Sequence, residues 1–307
     1  MTKESENTDY SHLIDNKERI TQCYVCNSGK IFFFKKVHGF SVYKCKTCKL
    51  IWVGDAINEK KLKSFYSSNY YTNFYVKRTG FKNYVGNEKN YRKNSRNNID
   101  IISKVKKIDF LRVLDIGCAC GFYIDEIKKL KKCDVYGVEF SEWAIQYATE
   151  NLGLKNIFFQ EKHDQFHFEN NYFDIVFLLG TIEHVINPRE MLVEINRILK
   201  PEGLLMITTL DTKSSIPFYL IKPPEHFYYF NHHNLPVLLK RMGFKTLINQ
   251  SYFSHYYVFE IFQVLSNLPF LSSVKPLSSL IYKLFPDLSI KSPTNEMVLV
   301  AQKGETE

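Results

Sequence analysis

Val113-Leu-Asp-Ile-Gly-Cys-Ala-Cys-Gly121 reads as a buried strand that runs through a glycine-bearing turn into a helix. Two glycines four residues apart let backbone approach a ligand closely and then start a helix. The spacing is neither G-x-G-x-x-G nor a Walker A loop, so a pyrophosphate cradle is poorly supported. Downstream, a helical pattern passes through Ile124, Ile127 and Leu130, followed by a strand at 134–140 and a helix from Ser141 to about Asn151. Further strands are expected near 156–160, 173–180 and 204–210, with a helix opening at Pro188 and closing before Pro201-Glu-Gly203. Strands alternating with helices predict a parallel sheet covered on both faces, a Rossmann-like α/β core with ligands at the carboxyl ends of its strands. Glu139 ends the second strand, where an acid can accept both hydroxyls of a ribose.

Upstream the chemistry is different. Cys23-x-x-Cys26 and Cys45-x-x-Cys48 are separated by 18 residues. In a long chain without a recognisable secretion signal, this spacing predicts a four-thiolate structural zinc site, with redox CxxC pairs as the alternative. Alternating segments at 31–36 and 40–44 suit the short strands of a zinc ribbon. Four cysteines leave no open coordination position, which excludes a catalytic zinc there.

The chain has 307 residues, 45% of them hydrophobic, and a net charge of +9. That composition excludes a disordered chain. The charge is concentrated: residues 60–107 hold 13 Lys or Arg against Glu88 and Asp100, interleaved with Tyr70, Tyr71, Tyr75, Tyr84 and Tyr91. Such a stretch suits either a solvated helical arm or stacking on bases and sugars. No leader pattern and no run of about 20 apolar residues is visible, so a cytoplasmic location is expected. The expected division is a flexible N-terminus at 1–20, a zinc ribbon at 21–53, a basic helical connector or cap at 54–108, and the α/β domain at 109–307. Within that domain, residues 254–290 form a hydrophobic insert with only Glu260, Lys275, Lys283 and Asp287 charged. It reads as a helical lid, or as an amphipathic surface meeting a membrane or a second copy, which would place the protein at the membrane periphery.

Taken together, Val113–Gly121, Glu139, Phe173-Asp-Ile-Val-Phe177 leading to Gly180-Thr-Ile-Glu-His-Val185, and Ile198-Leu-Lys-Pro-Glu-Gly203 resemble the class I S-adenosylmethionine-dependent methyltransferases. The ribbon and Pro224-Glu-His-Phe-Tyr-Tyr-Phe230 narrow the similarity to bacterial sugar C-methyltransferases and ubiquinone-type O-methyltransferases. The resemblance implies a seven-stranded sheet whose final antiparallel strand is 296–303. It implies that Asp115, Gly117, Cys118, Ala119, Gly121, Tyr123 and Gly180 shape the S-adenosylmethionine pocket, that Glu139 binds the ribose and that Phe140 packs on the adenine. Ala119 replaces a common glycine, which a negative φ accommodates. Gln160-Glu161-Lys162 replaces a common Gly-Asp, leaving Glu161 as the adenine-contact candidate. Cys118 and Cys120 read as small loop fillers rather than a second metal site.

Methyl transfer needs an acceptor held in line with the sulfonium methyl and a group that removes the acceptor's proton. His184 is the first candidate base and His226 the second. Glu183 and His184 could alternatively bind a divalent metal. The position after the fourth strand reads Leu179-Gly-Thr-Ile-Glu-His184, with neither the Asn/Asp-Pro-Pro-aromatic motif of base amino-methylating enzymes nor a Pro-Cys nucleophile. The leading expectation is a small-molecule acceptor, a sugar or a glycan or lipid-linked intermediate, in a cleft lined from residues 70–91 and 226–233. An RNA methyltransferase gripping RNA with the connector and ribbon is the alternative, ahead of a non-catalytic zinc-ribbon adaptor. Nucleic acid is the less expected partner, and the sequence leaves the oligomeric state open.

Overall fold

The computed structural model describes residues 9–15, 20–58, 60–62, 84–160, 165–214, 221–266 and 275–304. Three short strands come first: β1 (Ile31–Val37), β2 (Phe40–Cys45) and β3 (Ile51–Val53). Helix α1 (Glu88–Ser103) precedes β4 (Arg112–Ile116), α2 (Phe122–Lys131), β5 (Asp134–Glu139), α3 (Glu142–Leu152), β6 (Ile157–Phe159) and β7 (Phe173–Leu179). Then follow α4 (Pro188–Ile198), β8 (Leu199–Leu210), β9 (Tyr228–Tyr229), α5 (Asn234–Arg241), β10 (Phe244–Tyr257), α6 (Val258–Ser266), α7 (Lys275–Leu284) and β11 (Ser289–Lys303).

The main sheet has seven strands in the order β10-β11-β8-β7-β4-β5-β6. Strands β4 to β8 are parallel, while β11 runs antiparallel between β8 and β10. The α/β fold expected from the sequence is therefore present. Alternation along the strands explains its two cores. Leu205, Ile207, Leu114 and Val176 face α4, α5 and the N-terminal strands, whereas Leu204, Met206, Val113 and Ile175 face α1 and α2. Local signals fix the helix starts: Ser141 caps α3 by accepting from the Ala144 amide at 3.3 Å, and Pro188 opens α4.

Four sequence expectations change. The hydrophobic insert is shorter than 254–290, because Ser254–Tyr257 and Ser289–Ile290 prolong the β10/β11 hairpin and leave α6 and α7 as the inserted helices among the described residues. The final strand accordingly begins at Ser289 rather than Glu296. Helix α1, assigned to a connector, packs Ile99, Ile101 and Ile102 into the sheet's core. Finally, the ribbon is not a separate module: β3 pairs antiparallel with β9, giving a second sheet in the order β1-β2-β3-β9. Much of the basic stretch, with Tyr70, Tyr71 and Tyr75, and much of the expected N-terminal tail lie outside the described residues.

Candidate functional site

At the carboxyl end of β4 the chain turns through Gly117 (φ +77°) and Gly121 (φ +78°), the two positions where left-handed backbone requires glycine. The Gly117 amide donates to the Val138 carbonyl at 2.9 Å. Any side chain there would also meet Thr181, whose Oγ1 lies 2.7 Å from the place of a Cβ. Ala119 takes φ +47°, so the expectation of a negative φ fails and the methyl group is held in a conformation that glycine adopts more cheaply. Cys118 is buried with its sulfur where a Cβ on Gly137 would fall, and burial pushes the thiols of Cys118 and Cys120 up, Cys120 to about 12. Both are space-filling, unreactive thiols.

Glu139 organises this loop. Its Oε2 accepts from the Ala119 amide, and its Oε1 accepts from the amides of Phe140 and Ser141, each at 2.9 Å. A carboxylate has about four lone-pair sites, so acceptor capacity remains. Asp115, one strand away, is buried with Oδ1 lacking a hydrogen-bond partner, and burial together with Glu139 pushes its carboxyl well above the usual range. An orphaned buried carboxyl beside a second acid suits a ligand bearing an ammonium group and ribose hydroxyls, which is the donor set of S-adenosylmethionine. Phe140 is half-buried beside Glu139, and a Cβ on Gly180 would meet open space. Tyr123 packs near Tyr91, and burial holds its hydroxyl well above its usual pKa. Glu161 lies outside the described residues.

Thr181 links this loop to the second half of the site, since it begins the 3-10 turn Ile182–His184 that follows β7. The ring Nδ1 of His184 lies 2.5 Å from the Glu225 carbonyl. A carbonyl only accepts, so Nδ1 carries the proton and Nε2 is the basic nitrogen. His226 is buried with its ring perpendicular to that of His184 at 4.6 Å, and Lys222 Nζ is 2.6 Å from Glu225 Oε1. Glu183 is buried and accepts from Thr209 Oγ1 at 2.8 Å; burial raises its pKa to about 7. Glu296 on β11 is likewise raised to about 7 by burial, and Lys222 opposes both shifts. Sequence reading missed Lys222, Glu296 and Tyr252, which the charge of Glu296 reaches. They come from segments distant along the chain, and no local motif marks them.

Two side-chain groups among the described residues could hold a metal ion. The first joins Cys23, Cys26, Cys45 and Cys48, with Cys23–Cys48 sulfurs 3.5 Å apart and Cys26–Cys45 sulfurs 3.7 Å apart. Tetrahedral zinc with Zn–S bonds of about 2.3 Å needs sulfur separations of about 3.8 Å, so the cluster fits that ion. The second joins Glu183, His184 and His226, whose ligand atoms lie within 4.8 Å of one another.

A family model described as a methyltransferase domain matches residues 87–248, just over half of the chain. The ubiquinone biosynthesis O-methyltransferase of Roseobacter denitrificans is 31% identical over 119 residues, 38% of this chain and 48% of that protein. The sterol 24-C-methyltransferase of Schizosaccharomyces pombe is 32% identical over 115 residues, 34% of this chain and 30% of that one. The chain thus spans about half the length, or less, of the curated relatives it matches. Among solved structures, a chain in the complex between the Haloferax volcanii Trm112 methyltransferase activator and a methyltransferase superposes with a TM-score of 0.54 at 13% identity, covering 71% of this chain and 92% of that one. That likeness concerns the fold alone.

Proposed function

The chain belongs to the methyltransferase-domain family, and from that premise we propose that it moves a methyl group from S-adenosylmethionine to a small-molecule acceptor, a sugar or a glycan or lipid-linked intermediate. The supporting observation is the continuity of the two half-sites. Thr181 packs on Gly117 of the cofactor loop and opens the turn that presents Glu183 and His184, so both halves share one wall. The cofactor, when bound, supplies an electrophilic methyl on a positively charged sulfur. Asp115 and Glu139 would hold its ammonium and ribose ends, and Phe140 its adenine.

His184 would take the acceptor's proton at Nε2 as the acceptor atom bonds to the methyl carbon and the methyl–sulfur bond breaks, its electron pair staying on the sulfur of the departing thioether. The Glu225 carbonyl fixes the ring through Nδ1 and stabilises the imidazolium that results. Lys222 and Glu225, beside it, supply a donor and an acceptor for hydroxyls of the acceptor. We assign one structural zinc ion to Cys23, Cys26, Cys45 and Cys48.

Calorimetry with S-adenosylmethionine tests the reading: binding in the micromolar range is expected, and no binding at millimolar concentration overturns it. His184→Ala should reduce methyl transfer by about 10²–10⁴-fold while leaving cofactor affinity unchanged. The convergence of Glu183, His184 and His226 favours a second reading in which His184 is a metal ligand. Metal analysis decides between them. One equivalent per chain, lost when the cysteines are substituted, supports the base, whereas a second equivalent lost in His184→Ala supports the ligand.

A further inference from the structure

Helix α7 reverses the usual burial pattern of a surface helix. Its small polar Ser278 is buried and donates to the Phe259 carbonyl at 2.8 Å. Its leucines face outward: Leu277 is 41% exposed, Leu280 50% and Leu284 58%, a stripe at i, i+3 and i+7. An amphipathic helix ordinarily turns such a stripe to the core, and exposed apolar residues are normally scattered singly. The exposure continues past the helix through Phe285, Leu288 and Ile290.

The register of the sheet locates this surface. Glu296 pairs with Leu210, the last residue of β8, and the β10/β11 hairpin then runs on from Phe253↔Pro293 to Tyr257↔Ser289. It therefore extends past the carboxyl ends of the parallel strands, the side that bears Gly117, Glu139 and His184. Helices α6 and α7 sit on that extension.

The charge around the stripe is positive. Lys283 lies on α7 and Lys291 on β11, while Lys89 and Lys93 of α1 reach Asp287 and Ser289. The nearby acids are neutralised: Asp287 is paired with Lys89 at 2.7 Å, and Glu260 is buried against Asn87 with its pKa raised to about 6 by burial. Among the described residues no helix is long and apolar enough to cross a membrane. We propose that α7 and the segment through Ile290 dock on the surface of an anionic bilayer, with the leucines and Phe285 in the interface and the lysines on the headgroups. A second copy fits less well, because a two-fold contact here would bring like-charged lysine rims together. Docking turns the acceptor end of the sheet towards the lipid, a consequence that rests on the function proposed above.

The test is co-sedimentation of the full chain with vesicles of phosphatidylcholine alone or with 30% phosphatidylglycerol, at low and at physiological salt. Binding to the anionic vesicles is expected, weakening as salt rises. The double variant Leu280→Glu, Phe285→Glu should lower vesicle partitioning at least tenfold, with an unchanged circular dichroism spectrum and unchanged S-adenosylmethionine affinity. Failure to bind anionic vesicles at low salt overturns the proposal, as does a double variant that partitions like the parent. Self-association without vesicles that the same double variant abolishes assigns the surface to a second copy and overturns it as well. Vesicle binding by a chain that fails to bind S-adenosylmethionine would refute the catalytic reading and leave the docking standing.

Discussion

At the scale of single residues, Glu139 is an acid whose one carboxylate shapes the loop and, in the proposed function, also binds the cofactor's ribose. The sequence marks it as a ribose acid because it ends the second strand, yet both of its oxygens are already bonded to backbone amides, of Ala119 in the loop and of Phe140 and Ser141 leading into α3. In the proposed reading, shaping the loop and binding the ribose are one device. Glu139→Gln keeps the size and loses the charge, and hydrogen bonds to a charged group are worth about 1.5–3 kcal/mol. Cofactor affinity should fall by about 10–100-fold, and the melting temperature of the cofactor-free chain should fall with it. Weaker binding at an unchanged melting temperature would leave Glu139 a ribose ligand only. Ala119 is a second case. Left-handed backbone costs an alanine about 1–2 kcal/mol, while glycine adds about 0.4–1 kcal/mol of unfolded-state entropy. Ala119→Gly should therefore leave stability level or raise it by no more than about 1.6 kcal/mol in urea unfolding. The buried acids give a pH dependence with a definite sign. Glu296 titrates near 7 in the folded chain against an ordinary value of 4.5, so its contribution to stability is fully present below pH 4.5 and is lost as pH rises through 7. Glu296→Gln should match the parent's melting temperature at pH 5 and exceed it at pH 8; equal values at both would refute the buried carboxyl.

Among the elements, the ribbon behaves as a wall of the site. Cys45 ends β2, β3 pairs with β9, the Val53 amide donates to the Phe227 carbonyl, and the Phe227 amide donates to the Glu183 carbonyl, both at 2.8 Å. Helices grip the ribbon from the other side: the Arg189 backbone amide donates to the Tyr24 hydroxyl at 3.0 Å, and Arg241 donates to the Val25 carbonyl at 2.7 Å. Loss of a metal from the four cysteines should therefore reach His184 through two backbone hydrogen bonds. Cys45→Ser, or treatment with a strong chelator, should raise amide hydrogen exchange across residues 224–230 and lower methyl transfer, with cofactor affinity kept within about threefold. Exchange unchanged after metal loss would make the ribbon a mere appendage. This is also where sequence reading reached its limit. CxxC spacing and strand alternation depend on neighbours along the chain and could be read directly, as could the glycine turn and Glu139. The β3/β9 pairing joins residues about 175 positions apart through backbone groups that leave no side-chain signature. The insert is overestimated for a related reason, because Ser254–Tyr257 and Ser289–Ile290 carry no Asp, Glu, Lys or Arg to set them apart from the sparsely charged helices they flank.

Over the whole molecule, part of the basic stretch is used differently from what its clustering suggests. Arg92 is bound by Glu88, Asp125 and Glu126, and Arg96 by Glu126, so these cations of α1 fasten it to α2 rather than face a polyanion. The aromatics of the same stretch are used internally too: Tyr84 and Tyr91 stack on each other at 4.5 Å and both stack on Phe122. A protein that holds RNA through a basic arm needs unpaired cations, because affinity arises from counterions released at each phosphate contact, and it needs rings open to bases. Among the described residues α1 offers neither in Arg92, Arg96, Tyr84 and Tyr91. Any binding to single-stranded RNA should therefore show no dependence on Arg92. Arg92→Met should leave RNA retention in a filter assay unchanged and lower the melting temperature, since it leaves the buried Asp125 with Lys129 alone and the buried Glu126 with Arg96 alone. Tight RNA binding with a steep salt slope that Arg92→Met flattens would reverse this assignment and restore the RNA reading for the basic stretch.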